Sequence, residues 1–182
     1  KAHEGQKRKS GDDYVTHPLE VAGILADFRL DSSVVAAAML HDVIEDTSVT
    51  DEQIKAAFGD EILNLVQGVT KLSRLEEDLK PVEGTQQIDN MANMIMAMAR
   101  DIRVILIKMA DRLHNMRTLQ YLKPEKQRRI ARETLEFFAP LAHRLGMGAI
   151  RWELEDLAFK RLYPDEYDEL VQHVAIKRED RE

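Results

Sequence analysis

The chain contains no cysteine. Disulfides and thiolate metal sites are therefore excluded, and any bound metal must be held by His, Asp or Glu. Aromatic residues make up only 5% of the 182 residues, and there are just 8 glycines and 5 prolines. There is no apolar run of about 18 residues, the length that a membrane-crossing helix needs. No signal peptide is visible either. Basic residues are in deficit, with 26 Lys and Arg against 33 Asp and Glu, for a net charge of -7. That balance argues against a broad basic face for free nucleic acid. We expect a cytoplasmic protein with no DNA and no membrane partner.

The residues that are abundant are Leu, Ala, Met, Glu, Lys and Arg, which lose little side-chain freedom in a helix. With 44% hydrophobic residues, the length suffices for one sizeable core. The expected fold class is all-α. The sequence starts at Lys1 rather than at Met, which suggests a piece of a longer protein.

Hydrophobic spacing divides the chain into helices. His17-Pro18 opens the first, with His17 at or near the N-cap and Val21, Ile24, Leu25 and Phe28 on its apolar face. The second runs from about Ser33 to Glu45 and is almost wholly apolar between Val34 and Leu40, as a central helix is. Thr50 and Gln53 form a capping box for a third, which Gly59 ends. A fourth covers about 60–69. Residues 70–87, with Pro81 and Gly84, read as a loop. A Met-rich helix over about 87–99 follows, and its methionines read as core packing rather than a binding groove. A helix over about 102–122 comes next, then one from Pro124 to about Leu145, bent near Pro140. Gly146 and Gly148 break it. Ile150 to Leu162 is amphipathic, Pro164 opens a short last helix, and the charged end from Lys177 reads as a frayed tail or cut linker.

The chemistry concentrates where apolar helices deliver polar groups. One place is His41-Asp42-Val43-Ile44-Glu45-Asp46, after the apolar helix. Burying such groups is costly unless they are paired or bind a cation. At helical spacing His41 shares a face with Glu45, and Asp42 with Asp46. The second place is Asp111, after Val104 to Ile107, with Asn115 and Thr118 at i+4 and i+7. The plainer readings are a solvated helix end and a polar surface stripe, and spacing alone leaves both open. His17 completes a set of two imidazoles and two carboxylates. Such a set suits a divalent ion such as Mn²⁺, Fe²⁺ or Zn²⁺. The ion would lower the pKa of water and offset phosphate charge, with Glu45 and Asp46 as spare carboxylates beside it. His3, His114, His143 and His173 are read as structural or surface residues. Lys7, Arg8 and Lys9 form the local basic cluster that an acidic protein needs for a polyanion.

His17, His41-Asp42 and Asp111 match the H…HD…D pattern of HD-domain phosphohydrolases. The segments GQKRKSGDDYVTHP, AAMLHDVIEDT, VTKL, IKMADRLHNMRTL and FAPLAHRLGMGAIRWELEDLAFKRLYP narrow it. Over essentially the whole chain, the sequence resembles the hydrolase domain of the RelA/SpoT-homologue proteins, which make and degrade the alarmone (p)ppGpp. The resemblance implies an HD-domain helical bundle over residues 1–175, with 176–182 starting a linker to a synthetase domain. It implies hydrolysis of the 3′-pyrophosphate of ppGpp or pppGpp to GDP or GTP, with one Mn²⁺ ion. The implied ligands are His17, His41, Asp42 and Asp111. Glu45 and Asp46 would assist the water. Arg8, Lys9 and Ser10 would pack around the guanine nucleotide, and Asn115 and Thr118 would face base and ribose. The implied partners are the synthetase and regulatory domains of a parent chain. An HD hydrolase of another nucleotide and a nucleotide-sensing module without turnover are the alternatives.

Overall fold

The computed structural model describes residues 2–78 and 101–179. Among them the chain is helical, and its one extended pairing is an isolated antiparallel bridge between Lys7 and Asp13. The expected all-α class is what forms. The Met-rich helix, Pro81 and Gly84 lie outside the described residues.

The chain divides into two compact units, Lys1–His114 and Asn115–Glu182. The first holds α1 (Thr16–Asp27), α2 (Ser32–Leu40), α3 (Val43–Asp46), α4 (Asp51–Asp78) and most of α5 (Ile102–Arg117). Helix α2 packs against both α1 and α4, and α3 against α4. Ala37 and Ala38 on α2 are fully buried, and so are Val21 and Leu25 on α1 and Val66 on α4. Small side chains along α2 let its neighbours approach closely, as a central helix requires. Asp31 starts α2 by accepting from the backbone N–H groups of Ser33 and Val34, at 2.9 and 3.1 Å. Such a cap stabilises a helix by about 1 kcal/mol.

The expected capping box is present: Thr50 N donates to Gln53 Oε1 (3.0 Å) and Gln53 N to Thr50 Oγ1 (3.4 Å). Gly59 breaks the helix with φ 86°, but the next helical segment begins at once and runs to Asp78. It does not stop at Val69, so residues 70–78 are helix rather than loop. The reason is packing: Thr70 and Leu72 are buried, continuing the apolar face of Leu65, Val66 and Val69. Weak local periodicity hid that face among charged neighbours.

In the second unit, α6 (Pro124–Glu133), a π-turn (Thr134–Phe138) and α7 (Ala139–Arg144) all pack on α8 (Gly148–Leu162), as does α9 (Pro164–Glu179). The bend expected near Pro140 is this π-turn. Pro140 has no N–H to offer, and the turn before it widens so that Ala139 N donates to Thr134 O. Gly146, at φ 72°, then closes α7 in the left-handed conformation that glycine adopts at low cost. Helix α9 is longer than expected and carries Lys177 within it.

Candidate metal centre

Helix α1 brings in His17. The backbone N–H groups of Thr16 and His17 already bond to Asp13 O and Tyr14 O, both at 3.0 Å. The helix therefore starts earlier than expected, with Val15 as N-cap and His17 inside the first turn. Pro18 still fits there, because first-turn N–H groups have no helical partner. His17 is buried.

Helix α2 delivers His41 and Asp42, and there the helix breaks: α2 ends at Leu40 and α3 begins at Val43. The expected single helix to Glu45 is thus two. The i,i+4 relation survives, since Asp46 N still bonds Asp42 O at 2.9 Å. His41 is only 1% exposed. Its Nδ1 lies 2.7 Å from Ala38 O. A carbonyl only accepts, so Nδ1 carries a proton, and it is Nε2 that gains a lone pair when the ring is neutral.

That Nε2 is the informative atom. It is buried and makes no hydrogen bond among the described residues. Asp42 Oδ1 is 3.0 Å away and Asp111 Oδ1 3.9 Å. His17 Nε2 faces the same carboxylates, 3.2 Å from Asp111 Oδ1 and 3.5 Å from Asp42 Oδ2. The ligating atoms of His17, His41 and Asp42 all lie within 4.8 Å of one another. Two carboxylates and two imidazole nitrogens that converge in a buried space repel unless protons or a cation sit among them. The donor set fits a divalent ion, with only N and O ligands.

Electrostatics agree. Burial alone would push His41 down, but the contact with Asp42 and the charges of Asp42 and Asp111 outweigh it and raise the imidazole to about 9. Burial would raise Asp42, yet His41 beside it holds the carboxyl below its ordinary value. Burial works against Asp111 too, but Lys108, His17 and His41 keep it well below the carboxylate range. Both carboxylates are thus kept ionised.

Around the four stand residues that sequence reasoning missed. Lys108, one turn before Asp111, is buried and places Nζ 3.0 Å from Asp111 Oδ2 and 3.1 Å from Ser73 Oγ. Tyr14 places its hydroxyl 2.7 Å from Asp42 Oδ2 and 2.6 Å from Asp46 Oδ2. Burial and then the Asp42 charge push this phenol above its usual range, so it stays a donor. His114, expected to be a structural or surface residue, is not on the surface: it is buried, with Nδ1 2.7 Å from His17 Nδ1. The available signal was its position three residues after Asp111, on the same helical face.

Glu45 and Asp46 are exposed, at the edge of the cluster. Desolvation and the neighbouring Asp42 raise the Glu45 carboxyl above its ordinary value, against Lys108 and Arg74. A raised carboxyl is a better proton acceptor. Arg8, Lys9 and Ser10 lie on a tight turn tied by Arg8 N to Asp12 O (2.9 Å) and Gly11 N to Arg8 O (3.0 Å). Arg8 Nη1 reaches to 3.5 Å from His114 Nδ1, and Ser10 Oγ donates to Asp12. Lys9 is exposed. Asn115 and Thr118 fall in the second unit, where Thr118 Oγ1 donates to Asn115 O at 3.4 Å.

The family model described as HD domain matches residues 1–148. The chain belongs to the HD-domain family. The chain is 55% identical over 180 residues, 99% of its length, to a protein of Synechocystis named "Probable guanosine-3′,5′-bis(diphosphate) 3′-pyrophosphohydrolase", of which it covers 23%. It is 54% identical over 181 residues to the "Bifunctional (p)ppGpp synthase/hydrolase SpoT" of Escherichia coli K12, covering 99% of this chain and 25% of that one. This chain thus spans about a quarter of the length of those curated relatives. Among solved structures, it shares its fold with a metazoan ortholog of SpoT. That match has a TM-score of 0.57 and 24% identity, covering 88% of each chain. Among the described residues, no helix is long and apolar enough to cross a membrane.

Proposed function

We propose that this HD domain is a Mn²⁺-dependent hydrolase that removes the 3′-pyrophosphate of ppGpp and pppGpp, leaving GDP or GTP. The observation that carries the reading is the convergence of His17, His41, Asp42 and Asp111, with the orphaned His41 Nε2 at its centre. The substrate follows from the names of the relatives and from the flanking motifs, because a metal cluster senses phosphate rather than base.

His17, His41, Asp42 and Asp111 would hold the ion. When bound, it supplies Lewis acidity toward water and charge compensation toward phosphate. The protein's own part is to direct the water and to move its proton. Water attacks phosphorus, the bond from phosphorus to the 3′ oxygen breaks, and pyrophosphate leaves. Glu45 is the proton acceptor in this reading, its carboxyl raised by burial and by Asp42. Asp46 orients the water from the other side of Tyr14. The proton ends on the departing 3′ oxygen.

Arg8, Lys9 and Ser10 would hold the nucleotide, a reading supported by the approach of Arg8 Nη1 to His114 Nδ1 at 3.5 Å. Asn115 and Thr118, which follow Asp111 at i+4 and i+7, would face base and ribose. We propose further that residues 1–175 act as one hydrolase domain in the cytoplasm, and that 176–182 lead toward synthetase and regulatory domains.

The test is direct. Incubated with Mn²⁺ and ppGpp, the 182-residue chain should release pyrophosphate and GDP in equal amounts. No pyrophosphate from metal-loaded, folded protein overturns the reading. A nucleotide panel with Asn115→Ala separates alarmone from other nucleotides: loss of guanine preference supports the assignment.

A further inference from the structure

Behind His17, on the side of the ring away from the carboxylates, stands His114. Their Nδ1 atoms are 2.7 Å apart and the ring centroids 4.7 Å. Two ring nitrogens at that distance must share one proton, because two lone pairs repel and two N–H groups collide. One imidazole therefore donates and the other accepts.

The surroundings decide which. Arg8 Nη1 approaches His114 Nδ1 to 3.5 Å. A guanidinium is a donor only, so the atom that it approaches carries a lone pair. On that contact His114 Nδ1 is the acceptor and His17 Nδ1–H the donor, whether or not Nε2 of His17 also carries a proton toward Asp111. The other nitrogen of His17, Nε2, is the one that faces Asp42 and Asp111. His41 is arranged in the same way: Nδ1 is spent on a carbonyl, that of Ala38, and Nε2 faces the cluster. On this assignment the two imidazoles match, each spending Nδ1–H on an outer partner, a backbone oxygen for His41 and a second histidine for His17.

We propose that His114 is a positioning residue, which by accepting the Nδ1 proton of His17 fixes the ring orientation and the tautomer that turn Nε2 to the cation. The proposal rests on the metal reading above. A ligating histidine characteristically donates its other N–H to an outer partner, and loss of that partner costs about 10–100-fold in metal affinity. His114 is buried, so water does not readily replace it.

The experiment has two readouts that do not depend on turnover. ¹⁵N NMR of the metal-free protein assigns the ring tautomers directly. His17 Nδ1 should show the shift of a protonated nitrogen and His114 Nδ1 that of an unprotonated one. The opposite pattern overturns the proposal. Calorimetric titration with Zn²⁺ then compares variants whose folding is checked by melting temperature. His114→Ala should bind about 10–100-fold more weakly. His114→Asn places an amide oxygen where Nδ1 was and should stay near the unsubstituted protein. Equal affinity for His114→Ala, or equal loss in both variants, overturns the role. Were the unsubstituted protein to bind no Zn²⁺ or Mn²⁺, the metal reading would fall. The nitrogen shifts would still decide for or against the hydrogen bond from His17 to His114.

Discussion

Lys108 and Asp111 face each other one turn apart on α5, with Nζ 3.0 Å from Oδ2 and both side chains less than a tenth exposed. The other Asp111 oxygen, Oδ1, is 3.2 Å from His17 Nε2. One carboxylate is thus divided between a buried lysine and the two imidazoles of His17 and His41. Lys108 does not fit a surface helix, where it would extend into water. It fits a site that must keep a buried carboxylate ionised whether or not a metal is present.

Lys108→Met should therefore destabilise the metal-free protein, by about 3–5 kcal/mol if the pair behaves as other broken buried pairs do. Added Mn²⁺ should recover part of the loss, by replacing the missing positive charge beside Asp111. Urea denaturation with and without metal checks both. Asp111→Ala attacks the pair from the other side, and should lower the melting temperature without metal and lower it further with metal.

His41 sets a pH dependence. Its imidazole is raised from the ordinary 6.5 to about 9 in the folded, metal-free protein. A raised folded value means that protonation favours the fold. The contribution is fully present below about 6.5, the unfolded value, and is lost as the pH rises through about 9. Metal must displace that proton, so its affinity should climb by about tenfold per pH unit over this window. Calorimetry at pH 7, 8 and 9 with buffers of different ionisation heat measures both the slope and the proton released.

Tyr14 bridges a proposed ligand and a proposed catalytic carboxylate. Tyr14→Phe keeps the ring, and its stack on His3 at 4.5 Å, but removes the hydroxyl. Metal affinity should fall about tenfold, the lower part of the range for an outer partner of a ligand. The kcat should drop with KM for ppGpp unchanged. A rise in KM alone would place Tyr14 on the substrate instead.

Gly68 tests the close approach of α4 and α5. A Cβ added there would lie 2.6 Å from Val104 Cγ2. Val104 is buried and β-branched, so it has little freedom to turn aside. Gly68→Ala should cost about 1–3 kcal/mol as overpacking, despite the better helix propensity of alanine. Val104→Ala in the same chain should restore part of it, and a double-mutant cycle by chemical denaturation reads the coupling.

Much of this was legible along the chain. Helix-forming composition, the Thr50–Gln53 capping box and the breaks at Gly59 and Gly146 are local, and local chemistry suffices to read them. His17, His41, Asp42 and Asp111 were legible for a different reason: His17 opens a helix, His41 and Asp42 follow an apolar one, and Asp111 comes one turn after the apolar run Val104 to Ile107 within α5, so each lies where an apolar segment runs into the interior. Residues 70–78 misled because their apolar face is sparse and only packing exposes it. Lys108, Tyr14 and His114 were hidden because a lysine, a tyrosine and a histidine at those spacings are ordinary on any surface helix or turn. What selects them is distance across the fold, 94 residues in sequence between His17 and Asp111 and 97 between His17 and His114. The sequence by itself determined which groups were available and that they rode on helices aimed inward. The tertiary structure alone decided which oxygen of Asp111 faces the imidazoles, which nitrogen of each imidazole faces back, and which buried side chains hold them there.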